Sequence, residues 1–273
     1  MTRMPAYFKS NQSSGHEVLE PCPRAAGHWG RDRLRGPAVT SLLARASRSF
    51  AEGRPELRPA RATFELFRPA RMVPTASEAR LVHQSSRLAV IDSALVQAGE
   101  VVARAHVLLL ATSPTDESPV WTSSPSFAPP AHHLRPDPNG QLYSSGDGEW
   151  TSVAQDHANR LRKQVWHHPC AVVEGELATP FERAAAASDI TNLAVNWGER
   201  GIEYINADVT LSMTRLPEGL GIGLAANERW ENSGISVGSA VLFDRSGSFG
   251  LASVTALYNA HRTVTVRTAF PTC

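Results

Sequence analysis

Two stretches of the chain alternate apolar and polar residues in nearly the same pattern. Residues 60–68 (ARATFELFR) and 207–215 (ADVTLSMTR) lie 147 positions apart, and each is followed directly or within two residues by a proline, Pro69 or Pro217. An alternation of period two puts the apolar side chains on one face, which is typical of a half-buried β-strand. The pattern therefore predicts equivalent strands in two halves of the chain.

Two further matches fall at almost the same spacing. The run SALV at residues 93–96 corresponds to SAVL at 239–242, and Gly99 corresponds to Gly247, 148 positions later. Both glycines stand between strand-like runs, where a hairpin turn needs a residue that tolerates unusual backbone angles. Together the three matches indicate a duplicated unit that contains antiparallel hairpins.

Each half also contains a predicted helix ahead of its strands. Gly36 and Pro37 open an apolar run of helical spacing over residues 38–50. In the second half, Thr179, Pro180 and Glu182 form a capping-box pattern before an alanine-rich segment, and the helix is expected to end before Gly198. A helix followed by antiparallel strands in each half predicts an α+β fold.

Seven of the 19 prolines fall between residues 113 and 149. Proline lacks a backbone donor and fixes φ, so this stretch is expected to be a connector rather than a regular ladder or helix. The predicted organisation is an N-terminal domain over residues 1–112, the connector over 113–149, and a C-terminal domain over 150–273.

Composition narrows the functional classes. The formal net charge is +1, so no strong field favours nucleic acid. No apolar run is long enough for a membrane span or a signal peptide, and three widely spaced cysteines argue against a disulfide framework. We therefore expect a cytoplasmic protein without a metal or cofactor.

The order of these elements resembles the acyl-CoA thioesterase II family, in particular its actinobacterial thioesterase-like branch. The resemblance covers both halves but not the connector. It is carried by RGPAVTSLLARA, RPARATFELFRPA, GEVVARAHVLLL, AAAASDITN, YINADVTLSMTRLP and SVGSAVLFDRSGSFGLAS. It implies a double hotdog fold, in which two antiparallel sheets, each wrapped round a central helix, are fused in one chain. Joined sheets would bury each other's open edges, and a homo-oligomer could form through the outer edges.

The resemblance also implies a reaction and its residues. The substrate class is acyl-CoA or a related acyl thioester, and the reaction is hydrolysis by a water molecule that an aspartate activates. Asp189 matches that aspartate, and Asn206 stands where the family has a threonine. The family's glutamine is expected near residues 254–256, and the strand LASVTALY contains none. The alternative function is therefore a non-catalytic protein that binds acyl-CoA or lipid and has lost part of its water-holding residues.

The residue chemistry suits this assignment. A carboxylate beside an apolar tunnel has a raised pKa, which fits a general base near neutral pH. The Asn206 amide can both donate and accept a hydrogen bond. Ser188, Thr191 and Asn192 are weaker polar candidates, and a solvated or backbone-bonded role for Asp189 is the plain alternative.

Other motifs have weaker support. Residues 234–238 match GxSxG and are followed by Asp244 and His261, the order of an α/β-hydrolase triad, but the flanking residues predict a strand and a turn instead of the required helix. Residues 221–226 match GxGxxA without a surrounding βαβ unit, which favours a glycine-rich strand start. The adjacent histidine pairs at 132–133 and 167–168 diverge in direction and do not predict a metal site.

Overall fold

The computed structural model describes residues 5–13, 16–114, 120–123, 125–259 and 263–266. In the first half of these residues, strands precede and follow a helical segment. The strands are β1 (Ala6–Ser13), β2 (His16–Pro21), β3 (Ala26–Gly27), β4 (Gly30–Leu34), β5 (Leu57–Glu65), β6 (Ala76–Gln84), β7 (Leu88–Gln97) and β8 (Glu100–Ala111). The helices are α1 (Gly36–Ala46) and α2 (Arg48–Glu52), and a 3₁₀ turn covers Pro23–Ala25.

The second half repeats the order of a helix followed by antiparallel strands, as the sequence predicted. Its strands are β9 (Gln141–Ser145), β10 (Lys163–His167), β11 (Ala171–Val173), β12 (Trp197–Gly198), β13 (Gly201–Ile202), β14 (Tyr204–Met213), β15 (Ile222–Asn232), β16 (Ile235–Asp244) and β17 (Gly247–Tyr258). Its helices are α3 (Pro180–Asp189) and α4 (Thr191–Asn196), and a 3₁₀ turn covers Ala154–His157.

Ten strands form one continuous antiparallel sheet in the order β6-β7-β8-β5-β14-β17-β16-β15-β10-β9. The halves meet where β5 pairs with β14, and Thr63 lies directly opposite Thr210 with their Oγ1 atoms 3.2 Å apart. These threonines are separated by the 147 positions of the repeated pattern, so an approximate two-fold axis passes between them. The junction removes an open edge from each half of the sheet.

Helices α1 and α3 pack against each other and against strands of this sheet, and they run antiparallel. Thr40 Oγ1 donates a 2.8 Å hydrogen bond to the carbonyl oxygen of Ala185, and Gly36 lies beside Asp189. The four alanines of residues 184–187 are all buried. Their small side chains allow the two helices to approach closely, which brings the start of α1 to the end of α3.

The helix ends follow local sequence signals. The predicted capping box is confirmed, because Thr179 Oγ1 accepts from the Glu182 amide and the Glu182 carboxylate accepts from the Thr179 amide. The first predicted helix, over residues 38–50, is interrupted at Ser47, whose hydroxyl donates to the carbonyl of Ala44. Among the described residues, no helix has the length and apolar character needed to cross a membrane.

An ion-pair network closes the other end of the helix pair. The guanidinium of Arg45 lies between Glu17 and Glu176, with Nη2 2.6 Å from Glu176 Oε1. Arg48 Nε donates to Glu182 Oε1 at 2.7 Å, and the Glu182 side chain is 1% exposed. This network links the end of α1 and the start of α2 to the start of α3.

Strands β1 and β2 form a small separate sheet that the sequence did not predict. Strand β1 pairs with β2 and also runs parallel to β11 of the second half, with Ala6 opposite Ala171. Tyr7 and Phe8 on β1 are fully buried. The amino-terminal segment is therefore part of the core that both halves share.

The proline-rich stretch contains regular structure after all. Strand β9 lies within residues 113–149 and pairs with β10, which corrects the expectation that no ladder forms there. The preceding residues lie along the sheet, where the ring of Phe127 stacks on Phe243 with centroids 4.9 Å apart. Trp150 Nε1 donates to the carbonyl of Ala128 at 2.9 Å. The two domain boundaries, after residues 112 and 149, stay a prediction.

The structure does not support a hydrolase triad at the GxSxG motif. Ser236 is the second residue of β16, is buried and donates to Asn196 Oδ1, and the residues after it continue a strand instead of starting a helix. Asp244 is bound by Arg215, and His261 lies outside the described residues. The glycine-rich residues 221–226 lie at the start of β15, as expected of a strand.

Candidate active site

Asp189 and Asn206 come together across a helix and a strand. Asp189 is the last residue of α3, and Asn206 is on β14, where Nδ2 donates a 2.9 Å hydrogen bond to Asp189 Oδ1. No described residue donates to the other carboxylate oxygen, Oδ2. The pair thus has one oxygen that is held in place and one that is available to a ligand or water.

A bulge in the sheet directs Asn206 towards the helix. The pairing of β14 with β17 shifts register between Asn206 and Asp208, and Asn206 itself lies opposite Ala256. A bulge bends a strand and re-aims its side chains, which is why such irregularities are frequent beside functional sites. Ala256 lies in the region where the family resemblance places a glutamine, so β17 offers no amide to this pair.

The environment makes Asp189 a weaker acid than it would be in water, in the sense that it holds its proton more tightly. Burial raises the pKa of Asp189 from 3.8 to about 6, while the hydrogen bond from Asn206 and the positive charge of Arg35 act in the opposite direction. The carboxylate remains ionised in most molecules at pH 7. It can therefore accept a proton near neutral pH, as a general base must.

Asp189 and Asn206 line a cavity of about 370 Å³ between the two halves. This volume lies within the range of roughly 300–1,000 Å³ that small-molecule sites occupy. The wall is mostly apolar and is built by both halves of the chain. Its apolar residues are Trp29, Leu34, Pro37, Val39, Leu66, Phe67, Pro69, Ala70, Ala103, Ile190, Leu193, Ile202, Ile205, Ala207, Leu257, Val264 and Val266.

Gly36 permits the close approach of α1 to the carboxylate. A β-carbon added at this position would lie 2.1 Å from both Oδ1 and Oδ2 of Asp189. The amino-terminal end of α1 thus contacts the acid directly, and the positive end of its helix dipole favours the ionised form. Helix α1 carries no acidic residue of its own, so Asp189 is the acid of this helix pair that faces the cavity.

Five polar residues of the cavity were not predicted, namely His28, Arg33, Arg35, Arg68 and Gln141. Arg35 precedes α1, Gln141 is on β9, and His28 follows β3. Gln141 is 2% exposed and its Oε1 accepts the hydroxyl of Tyr143 at 2.8 Å. No spacing pattern connects these positions to Asp189 in the sequence, because they reach it through strand pairing and chain packing.

The weaker candidates lie close to Asp189 but are engaged elsewhere or turned away. Ser188 is fully buried and donates to the carbonyl of Ala185. Asn192 lines the cavity, yet its amide donates to the carbonyl of Tyr204 and its oxygen accepts from Asn196. Thr191 is buried and does not line the cavity. Asp189 and Asn206 therefore remain the candidate pair of this cavity.

A larger hollow of about 680 Å³ lies beside the end of α4 and contains neither Asp189 nor Asn206. Its arginines are largely neutralised within the hollow or at its rim. The ion pairs are Arg160 with Glu199, Arg200 with Glu203, and Arg229 with Glu231. In the part of the chain that is described, no three His, Cys, Asp or Glu side chains are grouped to hold a metal ion.

Comparison with known proteins places this geometry in a family. Residues 111–256, more than half of the chain, match the acyl-CoA thioesterase C-terminal domain. The chain belongs to the acyl-CoA thioesterase family. This membership assigns it to the enzymes that hydrolyse acyl-CoA thioesters and confirms the resemblance seen in the sequence. No curated protein sequence matches this thioesterase at a significant level.

Solved structures confirm the double hotdog fold of this thioesterase. The acyl-CoA thioesterase II TesB2 of Mycobacterium marinum is 15% identical, with a TM-score of 0.62 over 93% of this chain and 98% of that chain. A putative thioesterase II of Thermobifida fusca is 16% identical, with a TM-score of 0.62 over 95% and 99%. A hot dog protein of unknown function from Alicyclobacillus acidocaldarius is 15% identical, with a TM-score of 0.65 over 93% and 96%.

Proposed function

We propose that this thioesterase hydrolyses acyl-CoA with Asp189 as the general base that activates water and Asn206 as the residue that holds Asp189 in place. The observation that carries this proposal is the Asp189–Asn206 hydrogen bond at the wall of an apolar cavity. Burial raises the pKa of Asp189 to about 6, which suits proton transfer near neutral pH. The apolar wall would receive the acyl chain.

The reaction then follows from the free carboxylate oxygen. Asp189 Oδ2 accepts a proton from water while the water oxygen forms a bond to the thioester carbon, and the carbonyl electrons move to oxygen. When the tetrahedral intermediate collapses, the carbon–sulfur bond breaks and the proton on Asp189 passes to the departing sulfur. The products are a free carboxylic acid and CoA thiol, and Asp189 returns to its ionised form.

The test compares steady-state hydrolysis of a panel of acyl-CoAs by the wild type and by Asp189→Asn. The variant keeps the size of the side chain and removes the base, so kcat should fall by roughly 10²–10⁴-fold. Asp208→Asn is the matched control, because Asp208 is on the same strand as Asn206, does not line the cavity, and accepts from the Thr255 amide. Equal rates for the wild type and Asp189→Asn would remove Asp189 from the mechanism.

A second candidate function is the binding of acyl-CoA or lipid without turnover. The feature that favours it is β17, which presents Ala256 opposite Asn206 and no amide that could hold the water. Equilibrium binding and turnover measured on the same acyl-CoA separate the two functions. Tight binding with no hydrolysis by the wild type would support the binding protein, whereas turnover that depends on Asp189 excludes it.

A further inference from the structure

Arg35 is a buried cation at the wall of the cavity. It is the residue immediately before α1, it is 6% exposed, and it lines the same cavity as Asp189. Its backbone is fixed, because the amide donates to the carbonyl of Ala25 and the carbonyl accepts from residues in the first turn of α1. The side chain therefore starts from a rigid point next to the carboxylate site.

The Arg35 guanidinium has no carboxylate partner among the described residues. Its Nε is buried without a hydrogen bond, and among the described residues no carboxylate lies within ion-pair distance of it. An isolated charge in a protein interior costs several kcal/mol unless other groups compensate it. A cation kept in this state is typical of a site in which the partner arrives with a ligand.

The histidine and tyrosine side chains near Arg35 are neutral, whereas Arg33 and Arg68 also carry positive charge at the cavity wall. Burial, together with the charge of Arg35, lowers the pKa of His28 to about 4 and lowers that of His167 as well, so neither ring is charged at pH 7. Burial keeps the hydroxyl of Tyr7 protonated by raising its pKa. The positive charge of Arg35 also acts on Asp189 without forming an ion pair with it. Arg35 and Asp189 thus line the same cavity as a cation and an anion that form no ion pair with each other.

We propose that Arg35 is a catalytic residue that contacts the thioester carbonyl oxygen and stabilises the negative charge that forms there. This proposal rests on hydrolysis with Asp189 as the base. When Asp189 takes the proton of water, its negative charge disappears and an equal charge appears on the carbonyl oxygen. The cavity therefore keeps the same total charge, and Arg35 faces a carboxylate before the step and an oxyanion after it.

The same charge count argues against a carboxylate on the acyl chain as the partner of Arg35. Such a substrate would place a second negative charge near Asp189, and like charges disfavour each other's ionised form. A neutral thioester adds no charge before the reaction. The chemistry of the cavity therefore fits neutral acyl thioesters, with Arg35 directed at the carbonyl group.

A binding comparison tests this contact without requiring turnover. The probes are a ketone analogue of acyl-CoA, in which a methylene separates sulfur from the carbonyl group, and an S-alkyl-CoA of equal chain length that lacks the carbonyl. Calorimetry should show that the wild type prefers the ketone by roughly 10-fold, since a hydrogen bond to a charged group has about this effect. Arg35→Met should lose the preference and bind both probes equally.

Kinetics test the effect on the reaction itself. Arg35→Met should lower kcat for a saturated acyl-CoA by roughly 100-fold with less than about a threefold change in KM, as removal of an oxyanion donor does. Arg35→Lys retains the charge and should recover at least about tenfold of this loss. Arg160→Met is the control, because Arg160 lies outside this cavity in an exposed ion pair with Glu199.

Stability separates this role from a structural one. Replacing an unpaired buried cation by an apolar side chain of similar volume should leave the melting temperature unchanged or raise it. A large drop in melting temperature for both Arg35→Met and Arg35→Lys would make Arg35 a structural residue and overturn the proposal.

The remaining outcomes each decide one question. An unchanged ketone preference in Arg35→Met refutes the proposed contact. If Arg35→Met loses turnover only for carboxyl-terminated acyl-CoA, Arg35 selects acidic acyl chains. This outcome would also refute the proposed contact with the thioester carbonyl oxygen. Equal turnover by the wild type and Asp189→Asn would refute the proposed function instead. The binding comparison of the two probes would still test the contact made by Arg35.

Discussion

Asp189 differs from an ordinary surface aspartate in how little water surrounds its charge. Burial disfavours the ionised form of Asp189, whereas the Asn206 amide and the Arg35 charge favour it. The sequence alone could select Asp189 and Asn206 through the family resemblance. It could not reveal Arg35, since an arginine before a Gly-Pro helix start has no distinctive spacing, and its lack of a partner is visible only in three dimensions.

The raised pKa of Asp189 predicts a pH-dependent stability difference. The unfolded carboxyl loses its proton near pH 3.8 and the folded one near 6, so the wild type loses stability as pH rises through this window. The loss should reach roughly 2–3 kcal/mol above pH 6. Asp189→Asn avoids it, so denaturant unfolding should find the variant more stable at pH 7 and nearly equal at pH 3.5. A difference independent of pH would contradict this origin.

Asn206 predicts a shift in the pH–rate profile. Its hydrogen bond stabilises the ionised form of Asp189, so Asn206→Ala should raise the pKa of Asp189 further. The acidic limb of kcat/KM, expected near pH 6 in the wild type, should move to higher pH in the variant. Measurement from pH 5 to 9 checks this. An acidic limb that stays in place would show that Asn206 does not hold the base.

At the scale of elements, the site is made by the contact between the start of α1 and the end of α3. The sequence predicted both helices and the capping box of α3, because these depend on local signals. It did not predict their antiparallel packing or the breaks at Ser47 and Ile190. The packing depends on contacts between the two halves, in which Thr40 bonds to Ala185 and Gly36 lies beside Asp189.

The helix contact predicts a coupled effect of Gly36 and Asp189. Gly36→Ala places a methyl group against the carboxylate and should destabilise the fold by roughly 1–3 kcal/mol. In an Asp189→Ala background the same change should cost little, because the obstructing atoms are gone. Unfolding free energies of the four proteins form a double-mutant cycle. Equal costs in both backgrounds would mean that the clash is relieved by backbone movement.

The ion-pair network at the other end of the helices predicts a further effect on stability. Arg48→Met leaves the buried Glu182 carboxylate without its guanidinium partner and should cost roughly 3–5 kcal/mol. Arg160→Met breaks an exposed ion pair with Glu199 and should cost less than about 1 kcal/mol. Chemical denaturation of both variants makes the comparison. Equal losses would show that Glu182 finds another partner.

At the scale of the whole molecule, the sheet is continuous through β5 and β14, and the two threonines at its centre relate the halves by an approximate two-fold axis. The repeated spacing in the sequence predicted this relation. The sequence did not predict β1, whose parallel pairing with β11 crosses between the halves, because a single short strand without a repeat gives no local signal.

The junction predicts that the halves depend on each other. Glutamates placed at Thr63 and Thr210 would face each other across the axis, and like charges directly opposite each other destabilise a sheet. The double glutamate variant should lose more in melting temperature than the sum of the losses of the two single variants. Thr63→Glu combined with Thr210→Lys should recover most of this loss. Thermal melts of the wild type and these four variants check this. Additive effects would show that the side chains do not meet.

The ion-pair network has a consequence for ligand stoichiometry. The approximate two-fold axis relates the cavity end of the helix pair to its opposite end. In two identical subunits with exact two-fold symmetry, a second pocket would lie at that opposite end. That end is occupied by the ion-pair network of Arg45, Arg48, Glu176 and Glu182. Each chain should therefore bind one molecule of acyl-CoA at saturation. A mutation at the cavity end of the helices should affect the single binding site of the chain.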